Sequence, residues 1–344
     1  RIKYQFARVV HLIISMDDPH PYARLTPDLV LAAAEALGFE PDARIFALNS
    51  YENRVYQVGL ASGDSIVLKF YRPERWTEDQ ILEEHRFAQE LKCLEIPVIA
   101  PLETHDFGTI QSYEGFQFAI YPLFVGRPPE LDKLDNLLVM GRFLGRIHAV
   151  GMTSNFVHRL QLSVEKYAIF SREFLLDNDF IPSDLVAAYE TLSSDLIARV
   201  ERRFKDHGEL SYLRIHGDCH PGNILWKDNT PYFVDFDDSM MGPAIQDLWM
   251  MLSGCRDQRQ AQLLELAEGY NEFNDFQASE LLLIESLRTL RIMNYSAWLA
   301  RRWKDPAFSL SFPWFNTQRY WSEHILEPRE QLASLDEAPL ELIC

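Results

Sequence analysis

Three oxygen-bearing residues, Asp218, Asn223 and Asp235, have the types and the spacing to do chemistry together. Asp218 and Asn223 stand five positions apart in His216-Gly217-Asp218-Cys219-His220-Pro221-Gly222-Asn223-Ile224-Leu225. Asp235 opens Asp235-Phe236-Asp237-Asp238 twelve residues after Asn223. Between them Pro231-Tyr232-Phe233-Val234 reads as one arm of a short hairpin, which lets the three side chains converge. A carboxylate placed to take a hydroxyl proton, beside an amide oxygen and a second carboxylate that suit Mg²⁺, is the equipment of phosphoryl transfer. Such transfer needs little covalent chemistry from the protein. Positioning and charge neutralisation carry it, so the rest of the chain must supply a cation for the phosphates and a frame that holds the loop.

Lys69 is the candidate cation. The run Ser65-Ile66-Val67-Leu68-Lys69-Phe70-Tyr71 follows a strand-like Asn49 to Val58 across the turn Ala61-Ser62-Gly63-Asp64, and the two predict a β-hairpin. Alternation puts Ile66, Leu68 and Phe70 on one face and Val67 and Lys69 on the other, so an apolar strand presents an ammonium sideways. Such a lysine needs an acid from a following helix, and Thr77-Glu78-Asp79-Gln80 is a capping box that opens one. Within it Ile81, Glu84, Ala88 and Leu91 recur at helical spacing, which favours Glu84 over its neighbour Glu83 as partner. Short polar residues can also offer donors to phosphate, so Ser50 in Ser50-Tyr51-Glu52-Asn53 is either a nucleotide contact or a plain turn residue. Tyr121 to Phe124 follows a further strand-like segment and is the expected hinge against adenine.

These parts match those of protein kinases, with His-Gly-Asp where protein kinases have His-Arg-Asp and no Gly-x-Gly-x-x-Gly over the phosphates. The chain resembles the aminoglycoside-phosphotransferase-like branch of that superfamily. More narrowly, Asn49 to Tyr56, Lys69 to Trp76, Ile81 to His85, His216 to Trp226 and Gln246-Asp247-Leu248-Trp249 are similar to the bacterial stress response kinase A (YihE) family, from about Leu25 to Trp314. The resemblance implies an α+β bilobal fold, with a β-rich N-lobe and a mainly helical C-lobe. It implies a cytoplasmic Ser/Thr protein kinase active under stress, with Asp218 as proton acceptor, Asn223 and Asp235 on Mg²⁺, and Ser50 near ATP. A kinase of a small molecule of the aminoglycoside, choline or homoserine type is the alternative. The lobes are expected to divide at residues 25–124 and 125–344, after an N-terminal extension of residues 1–24.

Several residues carry two readings. Asp237, in the glycine position of Asp-Phe-Gly, either reaches a second Mg²⁺ or caps the following turn. Asp247, a lone acid in an apolar helix start, is expected to hold the catalytic-loop backbone or His216, because an unpaired buried carboxylate is costly. Arg288 to Trp303 mixes arginines and aromatics at helical spacing, as a core helix with snorkelling arginines or as a face for the acceptor. Gly141 and Gly145 have the spacing of a close helix contact.

Composition sets the outer limits. The 344 residues exceed one ordinary core, and 47% hydrophobic with 12% aromatic residues supports a packed globular chain of two lobes. A net charge of −18 excludes nucleic acid and anionic membranes as natural partners, because phosphate backbones demand clustered cations. The four cysteines have no metal-ligand spacing and read as reduced thiols of a cytoplasmic protein, which is expected to be a monomer. The start, with Arg1, Lys3 and Arg8 before Val9-Val10-His11-Leu12-Ile13-Ile14, lacks the cleavage site of a signal peptide, and Met16 is an alternative beginning. No segment is apolar for long enough to span a bilayer.

Overall fold

The computed structural model describes residues 20–104 and 108–342, folded as two lobes about one cleft. The basic and apolar start, Met16 and Cys344 lie outside the described residues. The first lobe opens with α1 (Pro27–Glu35), which Thr26 caps by accepting the Leu29 N–H, with proline in the first turn. Five strands follow: β1 (Pro41–Ala47), β2 (Arg54–Leu60), β3 (Ser65–Phe70), β4 (Gln111–Tyr113) and β5 (Phe116–Pro122). They form one antiparallel sheet in the order β1-β2-β3-β5-β4. Leu68 and Phe70 pack with Val30 and Ala33 of α1, together with Phe118 and Ile120 of β5. Lys69, opposite Val55 and Ala119 in the register, points to the other face. There α2 (Glu78–Cys93) lies, and its N-terminus carries the Thr77/Gln80 capping box.

Two strands differ from the expectation. The strand expected from Asn49 begins only at Arg54, because residues 49–53 form a turn. Ahead of it, β1 is an edge strand that is mostly exposed, so its residues show no apolar alternation to read.

The second lobe begins with α3 (Leu134–Gly151), α4 (Phe170–Asp177) and α5 (Val186–His207). Four short strands then frame the motifs: β6 (Leu213–Ile215), β7 (Ile224–Lys227), β8 (Thr230–Phe233) and β9 (Met240–Gly242). The chain closes with α6 (Ile245–Leu248), α7 (Arg256–Asn271), α8 (Ile284–Arg301), α9 (Pro306–Ser311), α10 (Gln318–His324) and α11 (Leu326–Ser334). β7 and β8 pair as the expected hairpin, while β6 pairs with β9 and so brings the two ends of the motif region together. Val98 bridges to Phe233, which lays the extended segment after α2 against the hairpin. α3 and α7 meet backbone to backbone: a Cβ on Gly141 would run into the Leu266 carbonyl, one on Gly145 into Tyr270, and one on Gly269 into Leu138. Among the described residues no helix is long and apolar enough to cross a membrane.

Candidate active site

The loop that carries Asp218 is held by a buried carboxylate. Asp247, fully buried in α6, accepts the His216 N–H at 2.8 Å and the Gly217 N–H at 2.9 Å, and its Oδ2 lies 3.0 Å from His148 Nε2. Three polar partners make that burial tolerable. The His216 ring reaches the Val234 carbonyl at 2.9 Å, tying the loop to the end of the hairpin. Gly217 has φ +85°, and a side chain there would strike the Asp238 carbonyl, which explains His-Gly-Asp in place of His-Arg-Asp.

Asp218 emerges from this support with both oxygens engaged. Arg291 Nη1 of α8 lies 2.5 Å from Oδ1, and His220 Nε2 lies 3.5 Å from Oδ2. Burial alone would raise its pKa; the hydrogen bond from His220 and the charge of Arg291 outweigh that and hold the carboxyl well below the usual range. Asn223 donates to the Asp218 carbonyl at 3.0 Å, which fixes its amide across the loop.

Across the cleft Lys69 is buried among three acids: its Nζ lies 2.8 Å from Asp235 Oδ1, 3.3 Å from Asp237 Oδ1 and 3.7 Å from Glu84 Oε1. Burial opposes the ammonium form, yet these acids together hold the lysine well above its ordinary value. Glu84 is pushed up to about 7 by burial, against the pull of Lys69. Glu83, one residue earlier, faces the other lobe and accepts the N–H groups of Val157, His158 and Arg159. Asp237 is pinned by Arg75 and Lys69 beneath the site, and its backbone carbonyl takes the Arg159 guanidinium.

The turn at residues 49–53 covers the cleft and is bolted to the second lobe. Ser50 lines the cleft, while its hydroxyl donates to the Asn53 carbonyl at 3.1 Å. Glu52 accepts from Trp298 Nε1 at 2.7 Å and pairs with Arg302 at 2.5 Å, and the Tyr51 ring packs on Phe312. Buried Asp305 receives both Arg54 and Arg72 from the first lobe. Ion pairs and an aromatic contact thus fix this turn over the cleft. The sequence reading missed Glu52, Arg75 and Asp305, since their partners lie on distant segments. In the sequence Arg291 is only one residue of a helix with two readings.

Ser50, Lys69, Glu84, Asp218, Asn223 and Asp235 all line one cleft of about 870 Å³, as do Tyr121 to Phe124. Its volume suits a nucleotide with room beside it. The donors fit a hard divalent cation: Asp235 is half exposed to the cleft, and Asn223 commits its NH₂ to the loop, leaving its oxygen. Among the described residues no three His, Cys, Asp or Glu side chains form a closed metal cage. An open site with two protein oxygens is how Mg²⁺ is held when phosphates and water complete its shell.

Comparison with known proteins agrees with this geometry. The phosphotransferase enzyme family (APH) matches residues 44–282. Stress response kinase A of Escherichia coli is 44% identical over 321 residues, covering 93% of this chain and 97% of that protein. A Salmonella typhimurium relative called serine/threonine protein kinase RdoA is 42% identical over 326 residues, covering 95% and 98%. Among solved structures, the amicoumacin kinase hAmiN in complex with AMP-PNP, Ca²⁺ and Ami superposes with TM-score 0.69 at 19% identity, over 92% of this chain and 96% of that one. A microcompartment-associated aminopropanol kinase gives 0.66 at 16% identity, over 88% and 95%. The structural likenesses establish the kinase fold, and the near full-length identity makes this chain a phosphotransferase of the stress response kinase A family.

Proposed function

We propose that the chain transfers the γ-phosphoryl group of ATP, with Mg²⁺, to serine and threonine hydroxyls of cytoplasmic proteins. The observation that carries this reading is its identity of 42% over 95% of the chain with a relative called a serine/threonine protein kinase. Among the described residues Cys93, Cys219 and Cys255 are free thiols, which suits a reducing compartment.

In this reading Tyr121 to Phe124 receive the adenine, and Lys69, kept charged by its acids, binds the phosphate oxygens. Asn223 and Asp235 would hold the metal, which when bound neutralises charge on the phosphates. Asp218 orients the acceptor hydroxyl toward the γ-phosphorus and takes its proton as the new O–P bond forms. Its ionised state at neutral pH suits that role. The transition state is loose, so alignment of hydroxyl, phosphorus and leaving oxygen contributes more than base strength does.

The test is transfer of label from γ-labelled ATP by the purified chain, alone, with a generic basic protein, and with a panel of aminoglycoside, choline and homoserine. Label on protein serine or threonine is the expected result. Label on a small alcohol alone would overturn the protein-kinase reading in favour of a small-molecule kinase.

A further inference from the structure

Of the groups around the Asp218 carboxylate, Arg291 approaches most closely. Oδ1 is taken by Arg291 at 2.5 Å, and Oδ2 lies 3.5 Å from both His220 Nε2 and Asn223 Nδ2. A hydroxyl about to lose its proton must approach a carboxylate oxygen to roughly 2.6–3.2 Å. At Oδ1 that approach is covered by Arg291, while the neighbours of Oδ2 stand off at 3.5 Å. Asn223 and His220 belong to the same short loop, and Asn223 is also bonded to its backbone. Arg291 comes from a different element, at the end of a long stem and with 48% of its side chain exposed. A half-exposed ion pair is the weak kind, which a docking molecule displaces readily.

The position of Arg291 says what displaces it. Arg291, Asn294, Tyr295 and Trp298 recur at spacings of three and four on α8, and all line the cleft. Whatever rests on that wall beside the nucleotide meets Arg291 on its way to Asp218. Water meets no such wall and gains too few contacts to compete with the guanidinium.

We propose that Arg291 is a positioning residue that keeps the Asp218 carboxylate covered until an acceptor displaces it, so that ATP is held without being hydrolysed. The reaction it suppresses is attack of water on the γ-phosphorus: the water oxygen bonds to phosphorus, the bond to the β–γ bridging oxygen breaks, ADP leaves with that electron pair, and the water proton passes to Asp218. This proposal rests on Asp218 as proton acceptor, as in the function above, but not on the acceptor's being a protein.

The experiment measures ADP formation by the purified chain with Mg-ATP and no acceptor, for wild type, Arg291→Gln, Arg291→Lys and the double variant Arg291→Gln/Asp218→Asn. Nucleotide affinity is measured alongside as the check on folding. Arg291→Gln is expected to hydrolyse ATP faster than wild type by about tenfold or more, part of the roughly 10²- to 10⁴-fold that a positioned base contributes. Arg291→Lys should fall between the two, because an ammonium covers the carboxylate less completely. In the double variant the added hydrolysis should vanish. Hydrolysis by Arg291→Gln no faster than wild type, at unchanged nucleotide affinity, overturns the proposal. So does added hydrolysis that survives Asp218→Asn. Because water is the acceptor in every arm, failure to label any protein would count against the proposed substrate class and leave this result standing.

Discussion

Asp218→Asn isolates the proton acceptor from everything around it, since an amide keeps the shape and the contact with the loop. Turnover should fall by roughly 10²- to 10⁴-fold, the usual worth of a positioned general base. Mg-ATP should bind nearly as well as to wild type, and single-turnover transfer at equal nucleotide occupancy separates the two; an unimpaired variant would remove Asp218 from the mechanism. Asp235→Asn and Asn223→Ala should each shift the Mg²⁺ dependence of ATP binding to higher concentration, which a Mg²⁺ titration reads directly. If neither curve moves, the metal is held elsewhere. Away from the cleft, Glu280 is buried and accepts the Ile245 N–H at 2.9 Å at the start of α6, the helix that carries Asp247. Burial pushes its carboxyl up to about 7 from an ordinary 4.5. The folded state therefore keeps a proton that the unfolded chain releases between those values, so this group's contribution to stability falls as pH rises from 4.5 to 7 and is flat above. Glu280→Gln keeps an oxygen for Ile245 and removes the charge. It should match wild type near pH 4, below the unfolded value, and exceed it at pH 8 by up to roughly 3 kcal/mol, at about 1.4 kcal/mol per pH unit, in chemical denaturation. Equal stability at pH 8 would show that Glu280 is ionised at no cost. Residues of this kind were hard to find from sequence: Glu84 stood out against an apolar stripe, whereas Glu280 and Glu83 owe their surroundings to segments far along the chain.

At the level of elements, the legible features were those whose cause is local. The capping box at Thr77, the hairpin after Asn223 and the alternation around Lys69 each depend on residues within one turn or one strand, and each is present. β1 leaves no trace because most of its side chains face solvent, and the covering turn at residues 49–53 looks strand-like in sequence because its anchors, Trp298, Arg302 and Phe312, lie some 250 residues on. The glycine contact between α3 and α7 shows both cases at once. Gly141 and Gly145 announce themselves by their spacing, but Gly269, which faces Leu138 from the partner helix, has no companion to mark it. Its role is equally strict: a methyl group on Gly269 meets a main-chain carbonyl that cannot rotate away, so the helices must separate. Gly269→Ala should therefore destabilise the second lobe by about 1–3 kcal/mol, the range of core overpacking, in spite of alanine's better helix propensity. A gain in stability would mean that the helices are not in backbone contact, and urea denaturation decides between the two.

Over the whole molecule, charged groups tie the two lobes together across the cleft. Glu52 with Trp298 and Arg302, and Asp305 with Arg54 and Arg72, close the front of the cleft. Arg75 with Asp237 and Asp238, and Arg159 with the carbonyls of Asp237 and Ser239, close its floor. The segment between Asp235 and Pro243 is the place where a protein kinase would carry a long loop ordered by phosphorylation. Here it runs through one turn of Phe236–Asp238 and directly into β9, which pairs with β6 beside the catalytic loop. Nothing in it is left to be ordered, because its acids already have the arginines that a phosphate would recruit. Ser239, the hydroxyl residue in that stretch, is only 1% exposed, and its carbonyl is held by Arg159 at 2.6 Å. A kinase acting there would first have to open the floor of the site. The chain should accordingly be active as purified, without an activating kinase, and phosphatase treatment should leave its rate of transfer unchanged. Comparing initial rates before and after exhaustive dephosphorylation, with mass spectrometry to locate any phosphate, is the decisive measurement. Loss of activity together with a phosphosite at Ser239 would show that the floor opens and that assembly is regulated; an unchanged rate would leave control of this enzyme to its abundance and to the supply of acceptor.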